Sequence, residues 1–174
     1  HRDGDLYPTH GLGPVAKLLN INRGNRFVKL SSMSSKARGL NNWLVKHYGE
    51  EHPMSKTKIT QGDIVTTMLE CVHGETVLIV HDTTLPRPYS RGLRVQGTKG
   101  IWMEDNNSIY IEDQSAEHTW EDFEKYREEY DHPLWKEYIA EGIKEGHGGM
   151  DYLCLSAFVE SIEKKIEPPI DTYD

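Results

Sequence analysis

The feature that most restricts the fold is a pair of β-rich runs, Asp63 to Val72 and Glu75 to Leu85, separated by His73-Gly74. Both are dense in Val, Ile and Thr, side chains that suit a pleated surface. So short a connection turns the chain back on itself, because a parallel neighbour needs a crossover of about a dozen residues. Leu93 to Gly97 and Ile101 to Glu104 repeat the pattern around Gly97-Thr98-Lys99-Gly100, and Ser108 to Glu112 can add a strand. Phe27 to Ser34 also reads as a strand.

Helices flank this β-rich middle. Residues 1 to 14 read as a loop, and Pro14 suits the first helical turn, where its missing N–H costs nothing. Val15, Ala16, Leu18, Leu19 and Ile21 then supply an apolar face. Leu40 to Tyr48 reads as a helix with Leu44, Val45 and Tyr48 inward and Gly49 as its stop. Trp120 to Tyr130 is acidic and amphipathic, and Glu137 to Glu145 reads as a short surface helix. Met150 to Ile166 has the strongest pattern, with Leu153, Ala157, Val159 and Ile162 inward and Pro168-Pro169 as its end. The order predicts an α+β fold: an open, largely antiparallel sheet with helices packed on one face, in a single domain over residues 1–174. The exposed side of such a sheet could join copies into a homo-oligomer.

A length of 174 residues suits one domain with its own core. The net charge of −8 argues against a nucleic-acid partner, which requires a cationic surface. The apolar runs are too short to cross a bilayer. Cys71 and Cys154 form no CxxC spacing and read as two buried thiols. The chain opens on His1 with no signal-peptide order after it, so it is expected to be processed or part of something longer, and its compartment stays open.

Four segments could carry chemistry. Gly11-Leu-Gly13-Pro-Val-Ala16 fits G-x-G-x-x-A, but no apolar strand precedes it and no acid follows about 20 residues later, so a dinucleotide site is rejected. The glycines are expected instead to let a helix start close to a ligand or another backbone. Tyr7-Pro8-Thr9-His10 places a phenol, a hydroxyl and an imidazole beside a helix start, a set able to bind a sugar and move a proton. The alternative is a turn with Thr9 as helix cap, and spacing alone favours that turn. Arg87-Pro88-Tyr89-Ser90-Arg91 puts Tyr89 on a rigid loop, either as a ligand contact or as a strand break with solvated arginines. Gly146-His147-Gly148-Gly149-Met150-Asp151 opens a helix and could approach an anion or a sugar hydroxyl, or simply place Asp151 in the first turn. Nine histidines invite a metal reading, but His47/His52 and His73/His81 lack companion ligands at useful spacing. His81 and Asp82 are neighbours on a strand, point to opposite faces and form no dyad.

Taken in order, YPTHGLGPVA with NINRG, SMSS, HDTTLPRPYSR with GTKG, HPLW and GHGGMD resemble glycoside hydrolase family 109, over nearly the whole chain. Its members are α-N-acetylgalactosaminidases within the wider superfamily of glucose–fructose oxidoreductase and inositol dehydrogenase. The resemblance implies the carboxy-terminal, substrate-binding domain of such an enzyme, with the NAD-binding Rossmann domain upstream of His1. It implies hydrolysis by transient oxidation at C3, elimination after loss of the C2 proton, water addition and re-reduction. It implies that Tyr7, Pro8, Thr9 and His10 contact the sugar, with His10 as the acid–base group and Tyr7 assisting, and that Tyr89, His147 and Asp151 contact it too. No residue of this chain is assigned to NAD or to a metal. The partners implied are a carbohydrate, N-acetylgalactosaminide by resemblance, and the chain's own Rossmann domain. Export to the periplasm would fit glycan degradation. Two alternatives stay open: the substrate domain of a related sugar dehydrogenase, and a non-catalytic carbohydrate-binding or oligomerisation module.

Overall fold

The hairpin read from residues 63 to 85 forms two of the three sheet strands of the first of two compact units, His1–Tyr89 and Ser90–Tyr173. The computed structural model describes residues 2–141 and 146–170. The first unit runs α1 (Thr9–Leu18), β1 (Phe27–Ser34), α2 (Gly39–Tyr48), a 3-10 turn (Pro53–Lys56), β2 (Ile64–Cys71) and β3 (Thr76–Asp82). Its sheet has the order β1-β2-β3 and is antiparallel throughout. Along β2 the chain alternates: Val65, Thr67, Leu69 and Cys71 are buried, whereas Ile64, Thr66, Met68 and Glu70 are not. Directly opposed residues share a face, so Leu69 with Val77 and Val65 with His81 lie on the core side. Ile21 and Leu44 are buried with them. The opposite face carries Met33, Met68, Leu78 and Val80, all largely exposed.

Helix α1 starts at Thr9, not Pro14, which lies inside it. Pro8, with φ of −73°, takes the role expected of Pro14, and its carbonyl accepts from the Gly11 and Leu12 N–H groups at 3.1 and 2.8 Å. Pro14 has no N–H to return to the His10 carbonyl four residues earlier. Tyr48 is exposed instead of inward, ending α2 with its ring edge-on to Trp43 at 5.8 Å and 5.1 Å from the His52 ring.

The second unit has a sheet of order β4-β5-β6-β7, formed by Arg94–Gly97, Gly100–Met103, Ser108–Ile111 and Glu121–Asp122, followed by α3 (Glu124–Tyr130), α4 (Pro133–Glu141) and α5 (Met150–Lys164). The acidic stretch is thus not helical throughout. Glu121 pairs with Ile109 across β6, and its carboxylate accepts from the hydroxyls of Ser115 and Tyr126 and from Lys125. Those bonds hold its carboxyl below its ordinary value. Helix α4 begins at Pro133, again the favoured place for proline, and part of the helix expected at Glu137 to Glu145 lies outside the described residues. On α5, Val159 and Ile162 are exposed, and the side turned inward is Leu153, Ala157 and Ser161, spaced by four. Cys71 is buried as expected, but Cys154 on α5 is exposed. The fold is therefore α+β with open antiparallel sheets, divided into two sheets among the described residues where the sequence pattern predicted one.

One buried acid organises the first unit. Asp63 is 5% exposed. Its carboxylate accepts from the backbone N–H groups of Arg38 and Gly39 at 2.8 and 2.9 Å, and so caps α2 from 24 or 25 residues away. It also accepts from the Thr84 hydroxyl at 2.8 Å. Burial pushes this carboxyl upward, but the bonds from Gly39, Thr84 and Arg38, with the Arg38 charge, outweigh it and hold the carboxyl below its ordinary value. A group depressed in this way stabilises the fold above its unfolded value and loses that contribution as pH falls through the depressed one. Asp63→Ala should cost about 2 kcal/mol, the loss of a helix cap plus a charge-assisted bond. It should also flatten the acid limb of the stability curve. Urea melts between acid and neutral pH check both, and an unchanged acid limb would remove Asp63 from this role.

Candidate functional site

The candidate residues of the first unit sit where an irregular segment, residues 2–5, hands over to α1. The segment is fastened residue by residue to the loop before β2. The Arg2 carbonyl accepts from the Thr60 hydroxyl at 3.4 Å. Asp3 accepts from the Gly62 N–H at 3.0 Å and from Ser34, which together lower its carboxyl. Gly4 exchanges two bonds with the Gln61 side chain, at 3.2 and 2.8 Å. Asp5 Oδ1 accepts from the Tyr7 N–H at 3.2 Å and lies 3.4 Å from Nδ1 of His81. Asp3 and Asp5 flank the bend at Gly4. Their partners Ser34 and His81 are the two ends of one cross-strand row, with fully buried Val65 between them. Gly62 has no room for a side chain: a Cβ would come within 2.7 Å of the Ser35 carbonyl oxygen.

Beyond this strap, Tyr7 and His10 are brought together, with ring centroids 4.8 Å apart and ring planes inclined by 48°. Tyr7 is 61% exposed. Pro8 precedes the helix and Thr9 opens it, but no side chain caps the first turn, so the capping role considered for Thr9 is not realised. Gly11 and Gly13 have open space where a side chain would stand, not the close backbone expected of them. Both lie within α1, and among the described residues no strand precedes them, so the strand–turn–helix setting of a dinucleotide fingerprint is missing there.

The run His81-Asp82-Thr83-Thr84 is structural at every position. His81 meets Asp5, and Asp82 accepts from Arg87 Nε at 2.9 Å. Thr83 bonds the Asp63 carbonyl through its N–H and hydroxyl at 2.9 and 3.1 Å, and Thr84 bonds the Asp63 carboxylate. Opposite directions for His81 and Asp82 follow the strand alternation. Arg87 is ion-paired and also donates to the Pro88 carbonyl at 3.1 Å, which braces the loop carrying Tyr89. Tyr89 itself is 85% exposed.

In the second unit His147 and Asp151 meet at 2.8 Å across the 3-10 turn Gly146–Gly149 that leads into α5. His147, Gly148 and Gly149 all have positive φ, of 51°, 65° and 96°. Only glycine fits at 149, because a Cβ there would fall 2.1 Å from the buried Tyr138 ring. That glycine serves packing, while His147 and Asp151 face solvent. Asp151 lies in the first turn of α5, as read from the sequence. The hydrogen bond and the charge of Asp151 raise the His147 imidazole above its ordinary value.

Two shallow hollows flank Trp120, and neither is lined by Tyr7 to His10, Tyr89, His147 or Asp151. Among the described residues no group of three or more His, Cys, Asp or Glu could hold a metal ion, and no helix is long and apolar enough to cross a membrane. Asp5, His81, Gln61 and Asp63 were missed as site supports in the sequence. The signal available was the i, i+2 spacing of Asp3 and Asp5 directly before the YPTH segment.

Comparison with known proteins identifies the family. The family profile described as glycosyl hydrolase 109, C-terminal domain, matches residues 1–174. A glycosyl hydrolase family 109 protein of Stenotrophomonas maltophilia is 55% identical over 99% of this chain and 38% of its own length. An α-N-acetylgalactosaminidase of Tannerella forsythia is 50% identical over 99% of this chain and 37% of its own length. One of Shewanella oneidensis is 42% identical over 99% and 39%. The chain thus spans less than two fifths of the length of these relatives.

Because its partner raises it, the His147 imidazole should titrate above the value of an ordinary histidine and return to it in Asp151→Asn. Imidazole resonances followed by NMR through neutral pH check this. Its contribution to stability is present at low pH and lost as pH rises through the raised value. Identical titrations in the two proteins would mean the pair does not persist in solution.

Proposed function

The chain belongs to glycosyl hydrolase family 109, as its carboxy-terminal domain, and on that premise we propose that residues 1–174 act as the sugar-facing domain of a glycosidase for α-N-acetylgalactosaminides. The observation that carries the reading is the Tyr7–His10 pair: a phenol and an imidazole 4.8 Å apart, at a helix start held by its neighbours. Alternation of polar and flat groups is what a sugar ring requires, and the open space over Gly11 and Gly13 leaves room for one beside His10. Imidazole is suited to exchanging a proton near neutral pH.

In the proposed reaction the sugar is oxidised transiently at C3, which acidifies the C2 proton. His10 removes that proton, Tyr7 assists by hydrogen bonding, and the group on C1 is eliminated. Water then adds and C3 is reduced again. The hydride exchange would be supplied by NAD, to which no residue of this chain is assigned. Pro8 and Thr9 shape the same edge. Tyr89, on its braced loop in the first unit, is assigned as a further sugar contact. The mechanism needs no pair of carboxylates at glycosidase spacing.

In the full-length enzyme, His10→Ala should lower kcat on p-nitrophenyl α-N-acetylgalactosaminide by about 100-fold or more, the usual worth of a general base, with NAD affinity nearly unchanged. Residues 1–174 alone should release no p-nitrophenol. An unchanged kcat would remove His10 from the mechanism, and steady accumulation of NADH would favour a dehydrogenase.

We also assign the exposed face of the first sheet, with Met33, Met68, Leu78 and Val80, to contact between copies of the chain. Leu78→Lys should then shift sedimentation of the full-length protein toward monomer, and an unaltered profile would contradict this assignment.

A further inference from the structure

We infer that Asp5 and His81 are positioning residues for the Tyr7–His10 edge, an inference that rests on the reading of that edge proposed above. One carboxylate oxygen does two things. Asp5 Oδ1 accepts from the Tyr7 N–H at 3.2 Å, setting the turn into the candidate residues, and stands 3.4 Å from Nδ1 of His81, tying that turn to β3. Both side chains are largely covered, at 11% and 18% exposed, so the contact is shielded from water as surface pairs are not. Asp5 Oδ2 is buried with no hydrogen-bond partner among the described residues, whereas the neighbouring Asp3 carboxylate and the Asp63 carboxylate are well bonded. Leaving a buried carboxylate oxygen unmatched costs stability, and the fold bears that cost at the residue that sets the direction of Tyr7. The other strap bonds, to Gln61 and Gly62, lie before Asp5 and fix where the segment runs. Among the described residues, the Asp5–His81 contact lies between them and the Tyr7–His10 pair.

The expectation follows from how steeply chemistry depends on placement. In the full-length enzyme, His81→Ala should lower kcat about 10- to 100-fold, as displacement of reacting groups by about 1 Å does. KM for p-nitrophenyl α-N-acetylgalactosaminide should change by less than about threefold, because the loss falls on the transition state. His81→Asn, which keeps an N–H donor where Nδ1 stands, should restore most of kcat. Asp5→Ala should match His81→Ala, and the double variant should be little worse than either, as for two residues acting through one contact. His10→Ala is measured alongside. If His10→Ala is inactive while His81→Ala keeps its kcat, the positioning inference is overturned and the reading of the edge stands. If His10→Ala is itself unimpaired, the reading of the edge fails. Equal losses in His81→Ala and His81→Asn would also overturn the inference, because the contact would then not be what matters. Should Asp5→Ala not fold, the two His81 variants decide alone.

Discussion

Four consecutive residues, Thr60 to Asp63, hold the first unit together, and the strongest of their contacts is a buried carboxylate. Asp63 gathers the first N–H groups of α2 and the Thr84 hydroxyl at once. An ionised carboxylate can be buried only when donors replace its water, and three donors do so here. Thr60, Gln61 and Gly62 look the other way and bind the backbone or side chains of Arg2, Gly4 and Asp3. A helix start, a strand end and the amino-terminal strap are therefore referenced to one short loop. The close approach of that loop to Ser34 and Ser35, which excludes any side chain at position 62, fixes it against β1.

The candidate site inherits its placement from this loop. Tyr7 and His10 do not reach it themselves; they follow a segment that it fastens. Their geometry is thus set by hydrogen bonds to backbone and by the two acids Asp3 and Asp5, not by burial of their own rings. That arrangement leaves the phenol and imidazole exposed for a ligand while the Asp5–His81 contact behind them is largely covered. The His147–Asp151 pair is built differently, on a left-handed turn whose Gly149 packs against Tyr138. In both places the residue that packs and the residue offered to solvent are close neighbours in sequence, which is why such motifs read as either structural or functional.

What could be read from the sequence divides along the range of the interactions involved. Strands β2 and β3 were legible because their alternation and the His73-Gly74 turn are local. The start of α1 was misplaced because two prolines compete for one role, and the earlier one takes it. The two-residue strand at Glu121 has no periodicity to betray it, so its acids looked helical. On α5 Leu153 and Ala157 turn inward as expected, but the covered stripe continues to Ser161 and not to the more apolar Val159 and Ile162. Asp63 was invisible as a cap because caps are sought beside their helix, and this one acts across 24 residues. Tyr7 and His10 could be proposed from residue type, but their support by Asp5 and His81 depends on strand register that only the structure supplies. Family membership then rests on the order of motifs across the whole chain, which no single motif could carry.

The central claim is that His10, held by this strap, is the group that works on the sugar. The most direct measurement is a crystal structure of the full-length protein with N-acetylgalactosamine bound. The expected result places the His10 imidazole about 3–3.5 Å from C2 of the sugar, within near-attack distance, with the Tyr7 hydroxyl also on the ring. A sugar bound in an occupied, ordered site that touches neither Tyr7 nor His10 would contradict the account.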